Sequence, residues 1–201
     1  MKSPSGVAGL VLAAGASRRM GTDKALLRFR GRTFLEAILA TLEEAGVEQR
    51  TVVLGHHAEQ IQAATNLTNV QVVVNPHYSL GQTTSLQAGL RALEEPGLEA
   101  VVLCLVDHPA VSASTVRQLV TVYRDLRPAV AVPIYHGRRG HPVVLDRALF
   151  HPLMALSAEE GANTVIRQFG DRTQPVVVDD PGVTLDIDDP EALARWDEAR
   201  S

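Results

Sequence analysis

The chain has 201 residues, 45% of them hydrophobic, and carries a formal charge of −4 with a single cysteine. That length supports one α/β domain with a substantial core but not two large ones, and the acidic balance and lone cysteine argue against a basic nucleic-acid surface and exclude an internal disulfide. No signal-peptide pattern opens the sequence and no apolar run reaches about 18 residues, so a cytoplasmic protein of small-molecule chemistry, with no nucleic-acid or membrane partner, is expected.

Short runs dense in valine, leucine and isoleucine alternate with helical periodicity along the whole chain, which is the pattern of a parallel sheet. After a tail at 1–5, the run "VAGLVLA" predicts a strand over 7–13. A helix over 33–46 follows, opened by Thr33 and Glu36 in capping-box spacing and closed on Gly46. Strands are then expected at 50–55, 70–75, 100–106, 129–134 and 174–179, with helices at 58–65, 83–95, 112–126, 158–169 and 189–199. The last helix starts with Asp189 as N-cap and Pro190 in its first turn. With no repeat and no linker-like composition, the reading is a single domain over 1–201, an α/β doubly wound, Rossmann-like, mostly parallel sheet with helices on both faces. In such sheets ligands bind at the carboxyl ends of the strands.

Five stretches sit at such ends. The first strand runs into the small-residue turn "AAGAS", with Arg18, Arg19 and Lys24 close behind. Free amides beside two arginines and a lysine suit a polyphosphate. The stretch lacks both the P-loop ending and the dinucleotide G-x-G-x-x-G spacing. Asp107 ends an apolar strand in "LVDHPAV" and could hold Mg²⁺ against phosphate oxygens, or simply form a turn. Asp186 and Asp188 alternate in "TLDIDDPEAL", so a strand-like backbone would point both to one side. Near Asn75 and Gly81, the polar residues Gln82, Thr83, Thr84 and Ser85 suit a base or sugar, and equally an ordinary capped helix. The loop Gly137, Arg138, Arg139, Gly140, His141 could grip a second anion or be an exposed hairpin. Cys104, in mid-strand, reads as a core residue. The seven histidines are scattered, with no helix-face or zinc-finger spacing, and most read as surface or turn residues.

Taken in order, these stretches resemble the MobA-like nucleotidyltransferases, and within them the molybdenum cofactor cytidylyltransferases. The resemblance implies a nucleotide-diphospho-sugar transferase type of fold. It implies a nucleotide site at Leu12, Ala13, Ala14, Gly15, Arg19, Lys24, Asn75, Gly81, Gln82 and Ser85, and catalytic roles for Arg19, Lys24 and Asp107. It places Mg²⁺ on Asp107 with Asp186 or Asp188, and a second substrate at Arg138, Arg139, Gly140, His141 and Pro142. Ala14 before Gly15 leans towards CTP rather than GTP. The implied partners are that nucleotide, molybdopterin or the molybdenum cofactor, and a recipient molybdoenzyme or its maturation factor. His108 departs from the family pattern, where glutamine or methionine is common. Three rival readings are a sugar-phosphate nucleotidyltransferase, a non-catalytic cofactor carrier and a nicotinamide-dependent oxidoreductase.

Overall fold

The computed structural model describes residues 6–16 and 22–188. Arg18 and Arg19, the tail at 1–5, and the helix expected at 189–199 with Asp189 and Pro190 lie outside the described residues. The strands are β1 (Val7–Ala13), β2 (Arg28–Phe29), β3 (Arg32–Thr33), β4 (Arg50–Leu54), β5 (Gln71–Val74), β6 (Ala100–Leu105), β7 (Val130–Tyr135), β8 (Arg138–Arg139), β9 (Val143–Asp146) and β10 (Thr173–Val177). The helices are α1 (Phe34–Glu44), α2 (Ala58–Ala64), α3 (Gln82–Ala92), α4 (Ala113–Leu126), α5 (Phe150–Met154) and α6 (Asn163–Gln168).

β1 is buried along its whole length and lies inside the sheet, between β6 and β4 in the order β10-β7-β9-β6-β1-β4-β5. Its side chains alternate between two apolar layers because successive Cβ atoms leave a strand on opposite faces. Val7, Val11 and Ala13 join one cluster with Leu35, Ile38, Leu39 and Leu42 of α1 and Leu119 and Tyr123 of α4. Ala8, Leu10 and Leu12 join the other, with Leu86 and Leu90 of α3, Phe150 of α5 and Val165 of α6. A doubly apolar strand therefore dictates a three-layer sandwich. Two glycines let the helices come close: a Cβ on Gly9 would stand 2.8 Å from Leu42, and one on Gly89 would stand 2.4 Å from Leu10.

The parallel pairings are β1 with β4 and β6, β4 with β5, and β7 with β10. From β1 the chain winds outward through β4 to β5, then returns to the other side of β1 as β6. That reversal opens a crevice at the carboxyl ends of β1 and β6. The expected α/β class and mostly parallel sheet are what the structure has. It also holds elements that local pattern does not reveal. β9 lies antiparallel between β6 and β7, with Leu103 opposite Val143 and Ala100 opposite Asp146; a four-residue apolar run carries no sign of its direction. α5 is five residues long and contains Pro152, too short for a periodicity to register. The helix expected from residue 158 begins at Asn163, because Ser157 N and Oγ both donate to Glu160 Oε2 and hold that stretch as a turn.

One buried carboxylate fixes the segment after β10. Asp180 Oδ2 accepts hydrogen bonds from Ser112 N, Ser112 Oγ and Thr115 Oγ1 at 2.7–2.9 Å, and its Oδ1 accepts from Gly182 N at 2.9 Å. The N-terminus of α4 is thereby tied to residues 180–188. Replacing Asp180 with alanine strands buried donors, each costing about 1–3 kcal/mol, so Asp180→Ala should lower the unfolding free energy by at least about 2 kcal/mol in urea titrations. A loss below about 0.5 kcal/mol, the range of neutral surface changes, would show that the segment is held by other contacts.

Candidate active site

The turn after β1 leaves the sheet through buried Ala14 and exposed Gly15. Among the described residues a Cβ on Gly15 would meet nothing within 4 Å, and its φ is not in the left-handed region, so their packing does not require a glycine here. What the missing side chain leaves clear is the space above the turn. Lys24 follows in a 3-10 turn, Lys24–Leu26. Its ammonium pairs with Asp188 Oδ1 and lies 3.4 Å from Asp107 Oδ2. Three segments meet at this point: the turn after β1, the end of β6 and the stretch after β10. Backbone bonding holds them there, Ile187 N donating to Asp107 O at 2.9 Å and Val106 N to Leu12 O at 3.2 Å. Asp107 Oδ1 is buried without a hydrogen-bond partner among the described residues, His108 Nε2 standing 3.8 Å away.

That orphaned oxygen, beside a second carboxylate, fits a hard divalent cation, which takes oxygen ligands and usually one or two carboxylates. Asp188 is the member of the acidic pair that meets Lys24 beside Asp107, whereas Asp186 is exposed.

Two adjoining clefts open at this end of the sheet. The smaller, about 250 Å³, is lined by Leu12, Ala14, Gly15, Lys24, Tyr78, Gln82, Ser85 and Asp107 among others. The larger, about 740 Å³, has an apolar floor of Leu12, Leu103, Leu105, Val130 and Val132 and a rim carrying Arg139, Gly140, His141 and Arg167. Leu12, Gln82 and Leu105 line both clefts. α3 points its N-terminus at their junction; its N-cap is Gly81, with φ 126° and no side-chain cap, leaving amide donors for an anion. Thus Leu12, Ala14, Gly15, Lys24, Gly81, Gln82, Ser85, Asp107, Arg139, Gly140 and His141 come together around one hollow.

Other expected residues stand back from it. Ala13 is buried under α1, in the opposite layer. Asn75 lines neither cleft: its Nδ2 donates to Thr84 Oγ1 and Ser85 Oγ, and its Oδ1 accepts from His77 N, so it ties β5 to α3. Arg138 is exposed on the two-residue β8, outside the lining, and Pro142 is buried among Ile38, Thr41 and Cys104. The arm from β7 to β9 turns at His136 and Gly137, with φ of 47° and 76°, both left-handed as a tight hairpin of twisted strands requires. Gly140 then runs so close to Val183 that a Cβ would lie 2.1 Å from its carbonyl oxygen.

Arg167 in the larger cleft was not foreseen, because a lone arginine on a short helix has no motif; neither was Asp180, whose role depends on α4. Cys104 is a core residue, as expected, its thiol pushed up to about 12 by burial. Burial also pulls the His141 imidazole down to about 4, helped by repulsion from His108 against weaker opposing effects of Asp107 and the Leu103 backbone. His141 is therefore neutral at physiological pH, and among the described residues the cations on the larger cleft's rim are Arg139 and Arg167.

A family model described as "MobA-like NTP transferase domain" matches residues 9–174, which takes in the turn, Lys24, Asp107 and the hairpin arm. The chain belongs to this family of nucleotidyltransferases. It is 35% identical over 94% of its length to a protein named nicotine blue oxidoreductase from Paenarthrobacter nicotinovorans, covering 95% of that relative. It is 35% identical over 78% of its length to a probable molybdenum cofactor guanylyltransferase of Opitutus terrae, covering 71% of it, and 25% identical over 90% of its length to a molybdenum cofactor cytidylyltransferase of Escherichia coli, covering 91% of it. Among solved structures, Rv0371c of Mycobacterium tuberculosis in complex with manganese superposes with a TM-score of 0.81 at 31% identity, over 96% of this chain and 98% of that one.

The depressed His141 titration has a consequence for stability. The unfolded chain takes up a proton near the ordinary histidine value of 6.5, whereas the folded chain resists until about 4. Stability is therefore undiminished above about 6.5 and falls by roughly 3 kcal/mol as pH drops through that window. In urea titrations at about pH 7 and about pH 4.5, His141→Gln should remove most of that loss; an acid loss as large as in the unmodified protein would show that His141 carries none of it.

Proposed function

We propose that this protein is a Mg²⁺-dependent cytidylyltransferase that transfers CMP from CTP to the phosphate of molybdopterin or the molybdenum cofactor, releasing pyrophosphate. The observation that carries the proposal is the meeting of Lys24 with Asp107 and Asp188 where the two clefts join. The smaller cleft suits the triphosphate, with the open backbone at Gly15, the N-terminus of α3 and Lys24 around it. The larger suits a flat ring carrying a phosphate, through its apolar floor and its two arginines. Ala14 supports cytosine over guanine only by the resemblance of the turn.

An oxygen of the acceptor phosphate attacks the α-phosphorus in line. The new P–O bond forms as the bond to the α–β bridging oxygen breaks, and its electron pair leaves with pyrophosphate. The attacking phosphate is already ionised, so no strong base is needed and the chain's work is positioning and charge neutralisation. Lys24 donates to the phosphates and to the departing pyrophosphate. Asp107 and Asp188 would hold Mg²⁺, which when bound supplies further neutralisation of the triphosphate. Arg139 and Arg167 orient the acceptor, and neutral His141 offers it a hydrogen bond rather than a charge. Product would then pass to a recipient molybdoenzyme or its maturation factor.

The test is pyrophosphate release with Mg²⁺, molybdopterin and CTP, GTP, ATP or UTP in parallel, together with a nicotinamide-oxidation arm because of the oxidoreductase-named relative. Release with CTP is expected. Release with GTP alone would overturn the base assignment, release with no nucleotide would overturn the transferase reading, and nicotinamide turnover would favour the oxidoreductase. Asp107→Ala and Asp188→Ala should each lower kcat by about 10²–10³-fold, the scale of losing a preorganised electrostatic group. Asp186→Ala, at an exposed charge, should change it less than about fivefold; a loss equal to that of Asp188→Ala would return Asp186 to the metal set.

A further inference from the structure

Beside the smaller cleft, but outside it, a second cluster of metal-ligating groups comes together. Asp23 is 7% exposed and directly precedes Lys24. Its Oδ2 lies 2.8 Å from His57 Nδ1 and its Oδ1 lies 3.6 Å from His56 Nδ1. The three residues can offer donor atoms that all fall within 4.8 Å of one another. His56 Nδ1 is shut off from solvent without a hydrogen-bond partner, while the His57 side chain is 53% exposed, so one side of the cluster opens to water. The two imidazole rings sit 3.7 Å apart between centroids, at the corner from β4 into α2.

We infer that Asp23, His56 and His57 form a binding site for a divalent transition-metal ion, zinc above all, with water completing its coordination. Two imidazole nitrogens and one carboxylate oxygen are a donor set for zinc, iron or manganese and a poor one for magnesium, which favours oxygen ligands. Zinc bonds of about 2.0–2.2 Å place neighbouring donors of a four-coordinate ion roughly 3.4 Å apart, so side-chain shifts of about 1 Å close the site. The ion would satisfy the orphaned His56 nitrogen and the buried Asp23 carboxylate together. It would also clamp the start of the Lys24 turn to the β4–α2 corner, whose His56 N donates to Ala14 O at 3.1 Å and whose His56 ring meets Tyr78 of the smaller cleft edge-on. The inference is independent of the proposed transferase activity, since it concerns metal held outside the hollow where that chemistry is placed.

The experiment is equilibrium dialysis of chelator-stripped, full-length protein against Zn²⁺ in excess Mg²⁺, with bound zinc counted by elemental analysis and Co²⁺ absorption as a second readout of nitrogen ligation. One zinc per chain is expected, with affinity reduced at least about tenfold in His56→Gln and in His57→Asn, a floor set by what even an outer-shell partner contributes. Asparagine tolerates the left-handed backbone of residue 57, where φ is 51°, and circular dichroism checks folding of both variants. Asp107→Asn should leave zinc binding intact. No zinc on the unmodified protein, unchanged binding in either folded histidine variant, or loss in Asp107→Asn would each overturn the site.

Discussion

The site depends on one ion-pair arrangement, the Lys24 ammonium held between the carboxylates of Asp107 and Asp188. These residues are 83 and 164 positions away from Lys24 along the chain, so their meeting is a product of the whole sheet rather than of any local motif. All three are partly buried, at 13%, 24% and 28% side-chain exposure. Sinking charges this far is tolerable only when they are paired, and here two carboxylates both meet one ammonium. The second Asp107 oxygen has no hydrogen-bond partner among the described residues. Carboxylates at a cavity, beside a helix N-terminus with no side-chain cap and a glycine turn, suit a cation–phosphate complex.

Much of this was legible in the sequence, and the boundary of legibility follows physical lines. The strand signals worked because doubly buried strands are apolar throughout, as β1 and β6 are. The start of α1 was readable because the Thr33–Glu36 box acts over three residues, and both of its hydrogen bonds form. Asp107 could be placed because a carboxylate at the end of an apolar run has few other places to go. Long-range relations could not be read. Choosing between Asp186 and Asp188 required knowing that Ile187 bonds to the backbone of Asp107. Seeing that Asn75 is occupied internally required α3 to be packed beside it. The histidines failed as a motif because their carboxylate partner lies more than thirty residues earlier, in a different turn.

Glycine illustrates the same boundary from another side. Gly15 and Gly140 both sit in loops that face the hollow and look alike on paper. Gly140 has no room for a side chain, since the Val183 carbonyl fills the space. Gly15 has no such neighbour among the described residues, so nothing in their packing calls for its missing side chain. Only packing separates a glycine required by the fold from one left open for a ligand.

The reversed direction of β9 has a broader effect. In a wholly parallel sheet the loop entering a strand lies at the far edge from the loops leaving its neighbours. By running β9 backwards between β6 and β7, the chain brings an entering segment, Gly140 to Pro142, up to the edge where Asp107 and the β1 turn already stand. The wall bearing Arg139 is therefore a hairpin arm whose two ends are anchored in adjacent strands. Such an arm can be lengthened, shortened or rewritten without altering any βαβ crossover, because both of its ends lie in neighbouring strands of the sheet.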